Sequence, residues 1–201
     1  MSKLLIIGAG GHAISILDVA LQCNDFADIY IYEKFPKGLT NIHGYALHAE
    51  LPQDRSDYDC IIAIGDNSKR KDVFDSLKDV KYTNIISPIS YVSNSASIKE
   101  GSFVAHSAHV GPDVIIGVNC IINTKAVIEH EVQIGNHVHI SPSATICGQC
   151  VVGDLCWIGA GAVVINNIFV CSNTVIGAGA VVTSNIHEPG VYVGTPARKI
   201  R

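Results

Sequence analysis

The second half of the chain carries an aliphatic residue at every sixth position. The series has sixteen members without an interruption, and all of them are isoleucine or valine. They are Val92, Ile98, Val104, Val110, Ile116, Ile122, Ile128, Ile134, Ile140, Ile146, Val152, Ile158, Val164, Val170, Ile176 and Val182. Four residues after most of them lies a small or β-branched residue, as at Ala108, Cys120 and Ala126. Two inward positions in every six residues predict short strands that close into a triangular coil of three hexads.

Sixteen hexads give about five such coils, stacked on one another. Glycine recurs directly after the aliphatic position, where we expect a tight turn that uses the freedom of glycine at positive φ. These glycines are Gly111, Gly117, Gly135, Gly153, Gly159 and Gly177. Cys120, Cys150 and Cys156 fall in the small inward position, so we interpret them as core fillers. The remaining cysteines follow no disulfide framework, and all seven are expected to be reduced.

Residues 1–85 have a different pattern, typical of a small α/β sheet. An apolar run at 3–7 is followed by glycines and then by a helical pattern that ends at Leu21. Further apolar runs at 29–32 and 60–64 predict two more parallel strands. The expected fold class is therefore a Rossmann-like parallel sheet, residues 1–85, followed by a parallel β-helix with a C-terminal tail, residues 86–201.

A glycine-rich turn follows the first predicted strand. Gly8, Gly10 and Ala13 fit the fingerprint G-x-G-x-x-G/A, and Glu33 stands about twenty positions further on. Such a turn lets a phosphate approach the backbone at the start of a helix. A full dinucleotide fold would need a second half for which the chain has no room, so a nucleoside diphosphate is favoured over NAD. A purely structural turn is the remaining alternative.

Composition narrows the functional classes. Charged residues make up 16% of the chain and the formal net charge is −4, which argues against a broad nucleic-acid surface. No run of about 20 apolar residues is present, and no signal peptide precedes the first strand, so we expect a cytoplasmic protein without a membrane span. Cys147 and Cys150 form a lone CxxC pair, too few ligands for a metal site, and no metal is expected.

Four motifs, combined with the hexads, carry a resemblance to a known family. They are Ile7-Gly8-Ala9-Gly10-Gly11-His12, Ala63-Ile64-Gly65-Asp66-Asn67 with Arg70, Asn123 followed by Val127-Ile128-Glu129-His130-Glu131, and Val193-Gly194-Thr195-Pro196-Ala197. With them the chain resembles bacterial sugar-nucleotide acetyltransferases of the bacillosamine, perosamine and sialic-acid O-acetyltransferase type. The resemblance implies a left-handed β-helix, acetyl-CoA as co-substrate, and a homotrimer with the active site between adjacent prisms.

The resemblance also implies roles for individual residues. The residue matching His130 is the catalytic base, and the one matching Glu131 assists it. Residues predicted to contact acetyl-CoA are Asn123, His139, Gly148, Gly159, Gly177, Ala178 and Arg198. Residues predicted to bind the nucleotide sugar are Gly8, Gly10, Gly11, His12, Glu33, Lys34, Gly65, Asn67 and Arg70. Relatives that use UDP-sugars commonly have paired aspartates where this chain has Glu33 and Lys34, which leaves the carrier open among UDP, dTDP and GDP.

The hexad register predicts where His130 lies. It stands two residues past Ile128, so it should point outward, with Pro112 and Gly148 one 18-residue coil away on either side. Gly148 would leave room for a thioester, and its N–H is a candidate donor to the developing oxyanion. The alternative is a merely exposed histidine. For His139 the alternatives are thioester contact and simple exposure, and for His12 a phosphate contact and a helix cap.

The favoured function is acetyl-CoA-dependent N-acetylation of the 4-amino group of a nucleotide-linked amino-deoxy sugar, for surface-glycan or lipopolysaccharide biosynthesis. O-acetylation of sialic acid or a related sugar shares the same motifs. A non-enzymatic β-helix scaffold is a third interpretation, and a nicotinamide-dependent oxidoreductase a weaker fourth. Acetyl transfer through Cys147 is disfavoured, because its flanking sequence offers no cation other than His130 to activate the thiol.

Overall fold

The computed structural model describes residues 2–201, which form a parallel sheet followed by a left-handed parallel β-helix. The predicted fold class is confirmed. The front part contains β1 (Ser2–Ile7), α1 (Gly11–Cys23), β2 (Phe26–Tyr32), β3 (Asn41–Ile42), β4 (Tyr45–His48), β5 (Tyr58–Ile62), α2 (Asn67–Ser76) and β6 (Lys81–Tyr82). Its sheet has the order β3-β4-β2-β1-β5-β6. The pairing is parallel except between β3 and β4.

The three apolar runs at 3–7, 29–32 and 60–64 form β1, β2 and β5, as predicted. β1 is buried along most of its length because strands lie on both sides of it and α1 packs on one face. The hairpin β3–β4, strand β6 and helix α2 were not predicted. Helix α2 contains few apolar residues and is started by Asp66, whose Oδ1 accepts the N–H of Lys69 at 2.9 Å.

The β-helix is a triangular prism with three strand-built faces. The first face contains β7 (Ile85–Ile86), β10 (Phe103–Val104), β13 (Ile121–Ile122), β16 (His139–Ile140), β19 (Trp157–Ile158), β22 (Thr174–Ile176), β24 (Gly190–Val193) and β25 (Arg198–Lys199). The second contains β8 (Tyr91–Val92), β11 (His109–Val110), β14 (Val127–Ile128), β17 (Thr145–Ile146), β20 (Val163–Val164) and β23 (Val181–Val182). The third contains β9 (Ser97–Ile98), β12 (Ile115–Ile116), β15 (Gln133–Ile134), β18 (Val151–Val152) and β21 (Phe169–Val170).

Each coil is 18 residues long, because Ile122 pairs with Ile140 and Ile128 pairs with Ile146 in parallel register. The inward aliphatic residues and the small residues four positions later form one continuous apolar core along the prism axis. Both predicted inward positions are confirmed. Cys120, Cys150 and Cys156 are fully buried in that core, and every cysteine is a free thiol.

The reason predicted for the recurring glycines was wrong. Positive φ occurs three residues after the aliphatic position, where most residues are not glycine; Leu155 has a φ of 60° there. The glycines directly after the aliphatic position are needed for close approach between coils. A Cβ on Gly117 would lie 2.5 Å from the carbonyl oxygen of Gly135, and one on Gly153 would lie 2.5 Å from the nitrogen of Ser172. Glycine is required there because the neighbouring backbone occupies the space.

The front part packs on the first face of the prism. Leu17 and Ala20 of α1 belong to the same apolar cluster as Ile85, Phe103 and Ile121 of that face. The second and third faces are not covered by any other segment between residues 2 and 201. Within the same range, neither helix has the length and apolarity that crossing a membrane requires.

Candidate active site

His130 lies on the prism edge that joins the second and third faces, which we call the His130 edge. It follows β14, and the turn there directs its side chain outward, where 54% of it is exposed. Its Nδ1 lies 3.0 Å from Oε2 of Glu131. The predicted pair is therefore formed at an accessible position on the prism.

The carboxylate of Glu131 holds the imidazole in one tautomer. Its Oε2 also accepts a hydrogen bond from Nε2 of Gln149 at 3.0 Å. The hydrogen bonds from His130 and then from Gln149 lower the pKa of Glu131 below its ordinary value, so it is ionised near neutral pH. An ionised carboxylate only accepts, so in the neutral imidazole of His130 the proton is on Nδ1 and Nε2 has the free lone pair.

Gly148 lies directly beneath the imidazole, as the register predicted. A Cβ on Gly148 would lie 2.6 Å from both Cε1 and Nε2 of His130, so a side chain there would displace the ring. The peptide stacking is also as predicted, because the N–H of Gln149 donates to the carbonyl of His130 at 3.0 Å. The free ring nitrogen and the backbone of Gly148 therefore border the same space.

The N–H of Gly148 differs from its counterparts on the edge between the third and first faces. There, a side chain one coil further on accepts the equivalent N–H: Asn136 accepts that of Val118, and Asp154 accepts that of Asn136. Among the hydrogen bonds of residues 2–201, none has the N–H of Gly148 as donor. This donor is therefore not used within the prism, and Gly148 is buried beneath the imidazole.

His139 and Asn123 form a second cluster on the first face. Nδ2 of Asn123 lies 3.1 Å from Nε2 of His139, and the ring of His139 packs 4.5 Å from that of Trp157. His139 is only 7% exposed, so the alternative of simple exposure was wrong. Asn123 follows β13 and therefore stands on the edge between the first and second faces. Within one chain, neither of these two residues lies on the His130 edge.

His12 lies against the same face, with its ring 5.2 Å from that of Phe103 in an edge-to-face contact. Burial lowers the pKa of His12 to about 3 and the pKa of His139 to about 4, and nearby Arg70 acts in the same direction. Nε2 of His12 and Nδ1 of His139 are buried, and neither has a hydrogen-bond partner among residues 2–201. Both rings are therefore neutral at pH 7.

The lowered pKa values predict that acid destabilises the protein. Below pH 6.5 the histidine is protonated in the unfolded chain but stays neutral in the folded one. Its contribution to the free energy of unfolding is therefore complete above pH 6.5, and for His139 it is lost as the pH falls toward 4. Between pH 7 and pH 5 we expect His139 to account for about 2 kcal/mol of lost unfolding free energy. His12 acts in the same direction.

Urea unfolding at pH 7 and pH 5 measures this loss. The His139→Gln variant should lose less stability between the two pH values than the wild type, whereas His187→Gln, at an exposed position, should match the wild type. Equal pH dependence of His139→Gln and the wild type would contradict the prediction.

The predicted nucleotide contacts of Arg70 and Asn67 are corrected by the structure. The guanidinium of Arg70 is 1% exposed, and all five of its N–H groups donate to protein acceptors. Two of these acceptors are carbonyls of the prism, at Asn119 and His137. The amide of Asn67 donates to the carbonyls of Leu155 and Cys156. Both side chains join the two parts of the chain and have no donor left for a phosphate.

Replacing Arg70 by methionine is expected to lower the free energy of unfolding by about 3 kcal/mol, because the carbonyls around it would stay buried without donors. Urea denaturation measures the change. Lys69→Met is the matched control, since Lys69 is exposed on the same helix and its side chain makes no hydrogen bond within residues 2–201. A loss below about 1 kcal/mol for Arg70→Met would contradict the assigned role.

The glycine loop is open where a phosphate would approach. A Cβ on Gly10 or Gly11 would meet no atom within 4 Å, whereas Gly8 has a φ of 108° and a Cβ there would lie 3.0 Å from the carbonyl oxygen of Ala63. Both carboxylate oxygens of Glu33 accept backbone hydrogen bonds: Oε2 accepts the N–H of Ala9, and Oε1 accepts that of Phe35, each at 3.1 Å. Glu33 therefore anchors the loop.

A cavity of about 400 Å³ lies beside this loop and is mainly apolar. Its lining includes Gly8, Glu33, Lys34, Phe35, Ile64 and Leu77. Gly65 follows Ile64. Its carbonyl oxygen accepts a hydrogen bond from Arg70 at 3.1 Å. Of the predicted nucleotide-sugar residues, the glycines, Glu33 and Lys34 thus border open space.

The predicted acetyl-CoA residues near the C-terminus are more dispersed. A Cβ on Gly159 would lie 2.6 Å from the nitrogen of Ala178, and one on Gly177 would lie 2.7 Å from Cγ1 of Val193, so both glycines serve coil stacking. Ala178 and Arg198 are exposed. Sequence reasoning missed Gln149, although its spacing of 18 residues from Glu131 was a usable signal.

Comparisons with known proteins match both parts of the chain. Residues 3–77 match the family model described as the PglD N-terminal domain. The acetyltransferase domain of PglB from Neisseria gonorrhoeae FA1090 is 28% identical, covers 100% of both chains and has a TM-score of 0.92. A structure of that domain in complex with acetyl coenzyme A is also 28% identical, covers 98% of each chain and has a TM-score of 0.91. PerB from Caulobacter crescentus, in complex with CoA and GDP-perosamine, is 29% identical, covers 99% of this chain and 97% of that one, and has a TM-score of 0.88.

Proposed function

We propose that this chain, a member of the sugar N-acetyltransferases with a PglD-type N-terminal domain, acetylates the 4-amino group of a nucleotide-linked amino-deoxy sugar. Acetyl-CoA is the donor and His130 is the general base. The observation that carries the proposal is the arrangement at the His130 edge: Glu131 holds Nδ1 at 3.0 Å, and Nε2 borders the backbone of Gly148. PerB, a relative along nearly the whole chain, was solved with CoA and GDP-perosamine, which supports a nucleotide-sugar acceptor here.

The reaction needs a deprotonated amine. An amino-sugar nitrogen is mostly protonated near neutral pH and becomes a nucleophile only after it loses a proton, which an imidazole can accept. The nitrogen then forms a bond to the thioester carbonyl carbon, the C–S bond breaks, and the CoA sulfur leaves. The proton taken by Nε2 of His130 passes to that sulfur, the second proton lost by the attacking nitrogen passes to solvent, and Glu131 stabilises the imidazolium in between.

Gly148 stabilises the charge that develops on the carbonyl oxygen. Its N–H is a backbone donor fixed in position by the coil above and below, so it needs no reorganisation during the reaction. The absence of a side chain at Gly148 lets the ring of His130 lie directly against this backbone. The N–H of Gly148 therefore acts on the carbonyl oxygen of the thioester, while His130 acts on the attacking nitrogen.

A homotrimer completes the site in this proposal. Asn123 and His139 lie on the first face and its edge, while His130 lies on another edge, so a neighbouring prism is needed to bring one group near the other. The uncovered second and third faces present large apolar side chains, among them Tyr91 at 57% exposure and Ile115 at 48%. Such faces suit contacts between copies. Light scattering of the purified chain tests the trimer.

The nucleotide diphosphate binds at the glycine loop in this proposal. Gly10 and Gly11 offer open backbone at the start of α1, and the apolar cavity beside Lys34 and Phe35 accepts the base. His12 stands at the same loop and faces the prism, so it lies on the path from the phosphates toward the sugar. The carrier is one of UDP, dTDP and GDP.

A thermal-shift screen followed by an acetyl-transfer assay tests the function. Acetyl-CoA and one of the three nucleoside diphosphates should each raise the melting temperature. When both ligands are added, both increases should be seen. In the assay, an amino sugar linked to that nucleotide should release CoA thiol, and the corresponding hydroxyl sugar should not. Release only with hydroxyl acceptors would replace N-acetylation by O-acetylation, and no response to either ligand would reject the enzyme.

A further inference from the structure

Glu131 is held by two side chains, and only one of them belongs to the predicted catalytic pair. Its Oε2 accepts from Nδ1 of His130 and from Nε2 of Gln149, each at 3.0 Å. Gln149 lies one coil further along the prism, 18 residues after Glu131. Both residues have a φ of 61°, so their side chains leave the edge from equivalent backbone positions.

A second donor on the same oxygen restricts where the carboxylate can lie. Glu131 is 51% exposed, so packing alone does not fix its rotamer. With the amide of Gln149 bound to it from the next coil, Oε2 stays where it can accept from Nδ1. The coil that provides Gly148, on which the imidazole rests, thus also provides the group that aligns this imidazole.

We propose that Gln149 is a positioning residue for acetyl transfer, which acts through Glu131 to hold His130 with Nε2 toward Gly148. This rests on the proposed function. The hydrogen bond from Gln149 also contributes to the lowered pKa of Glu131. Because the amide is neutral, it keeps the carboxylate ionised without competing with the imidazolium for its charge.

The same column of the prism provides a comparison. Asp113 and Asn167 occupy the equivalent positions one coil before Glu131 and one coil after Gln149, with φ values of 59° and 61°. Within residues 2–201, neither side chain makes a hydrogen bond. Apart from His130 and Glu131, the ionisable groups beside this edge are Asp113, Glu129 and the thiol of Cys147. The bond to Glu131 is therefore specific to Gln149 and not a property of the slot.

Steady-state kinetics of Gln149→Leu test the proposal. Leucine is accepted at this slot, because Leu155 occupies it on another edge with a φ of 60°. We expect kcat to fall about tenfold, as for loss of one hydrogen bond to a charged group, with the KM of both substrates changed less than about twofold. Asn167→Leu is the matched control and should keep the kcat of the wild type. Gln149→Lys, whose ammonium can donate to the same oxygen but competes with the imidazolium for its charge, should recover kcat only in part.

A double-mutant cycle separates positioning from a structural effect. In a Glu131→Ala background, Gln149→Leu should cause no further loss of kcat, because the group through which it acts is absent. Independent, multiplying losses would overturn the proposal, as would an unchanged kcat in Gln149→Leu alone. His130→Ala is measured in the same assay: if it stays active, or if the wild type is inactive, the proposed function fails instead.

Discussion

Replacing His130 by alanine is expected to lower kcat for acetyl transfer at least about 10²-fold, because the amine then loses its proton only to water. The measurement is release of CoA thiol with the nucleotide-linked amino sugar at saturating acetyl-CoA. Stability should change little, since more than half of the side chain is exposed and its hydrogen bond joins only neighbouring surface groups.

The control for this variant is His187→Ala, which removes another exposed imidazole far along the chain and should retain wild-type kcat. If His130→Ala turns over within about threefold of the wild type, His130 is not the base. Raising the pH should partly restore the alanine variant, because a larger fraction of the amine is then already deprotonated.

Adding one methyl group at Gly148 is expected to lower kcat about 10²-fold while the fold is kept. The new Cβ would lie 2.6 Å from Cε1 and Nε2 of His130, far inside ordinary contact, so the ring must rotate away from Oε2 of Glu131. A displacement of about 1 Å at a catalytic group is enough for a loss of this size. Because the ring is the exposed end of a flexible side chain, its movement costs little stability.

The comparison with Gly159→Ala makes this prediction specific. There the new Cβ would lie 2.6 Å from the nitrogen of Ala178 and from the carbonyl oxygen of Ile176, and backbone atoms cannot move aside. We expect Gly159→Ala to lower the melting temperature by several degrees and Gly148→Ala to change it by less than about 2 °C. A Gly148→Ala enzyme with unaltered kcat would show that the space beside His130 is not used by the reaction.

The sequence was most informative where one repeat decides the geometry. The six-residue period assigned Ile122 and Ile128 to the core, and the 18-residue coil put Gly148 beside His130. Both follow from strand pairing, which leaves a closed coil no other register. The function of the glycines could not be obtained this way, because the period shows that Gly117 recurs but not that the carbonyl of Gly135 fills the space of its side chain.

The contacts between the two parts of the chain were beyond sequence reasoning. Nothing in the hexads distinguishes the face on which α1 and α2 pack, so the interior position of His139 and the bonds from Arg70 to the prism could not be foreseen. Arg70 followed a glycine and an asparagine at a strand end, a setting equally suited to a phosphate ligand. Only the five acceptors around its guanidinium distinguish the two roles.

The length of the coil also limits which insertions and deletions the chain can accept. Adding or removing 18 residues shifts everything beyond by one strand spacing, about 4.8 Å, and returns each residue to its former edge. Adding or removing six turns everything beyond by one face. Between Glu131 and Gly148 such a change would carry the glycine and Gln149 to a different edge from His130 and Glu131. Among active homologues, we therefore expect no insertions or deletions between Glu131 and Gly148. Beyond Gly148, we expect them in multiples of 18 residues.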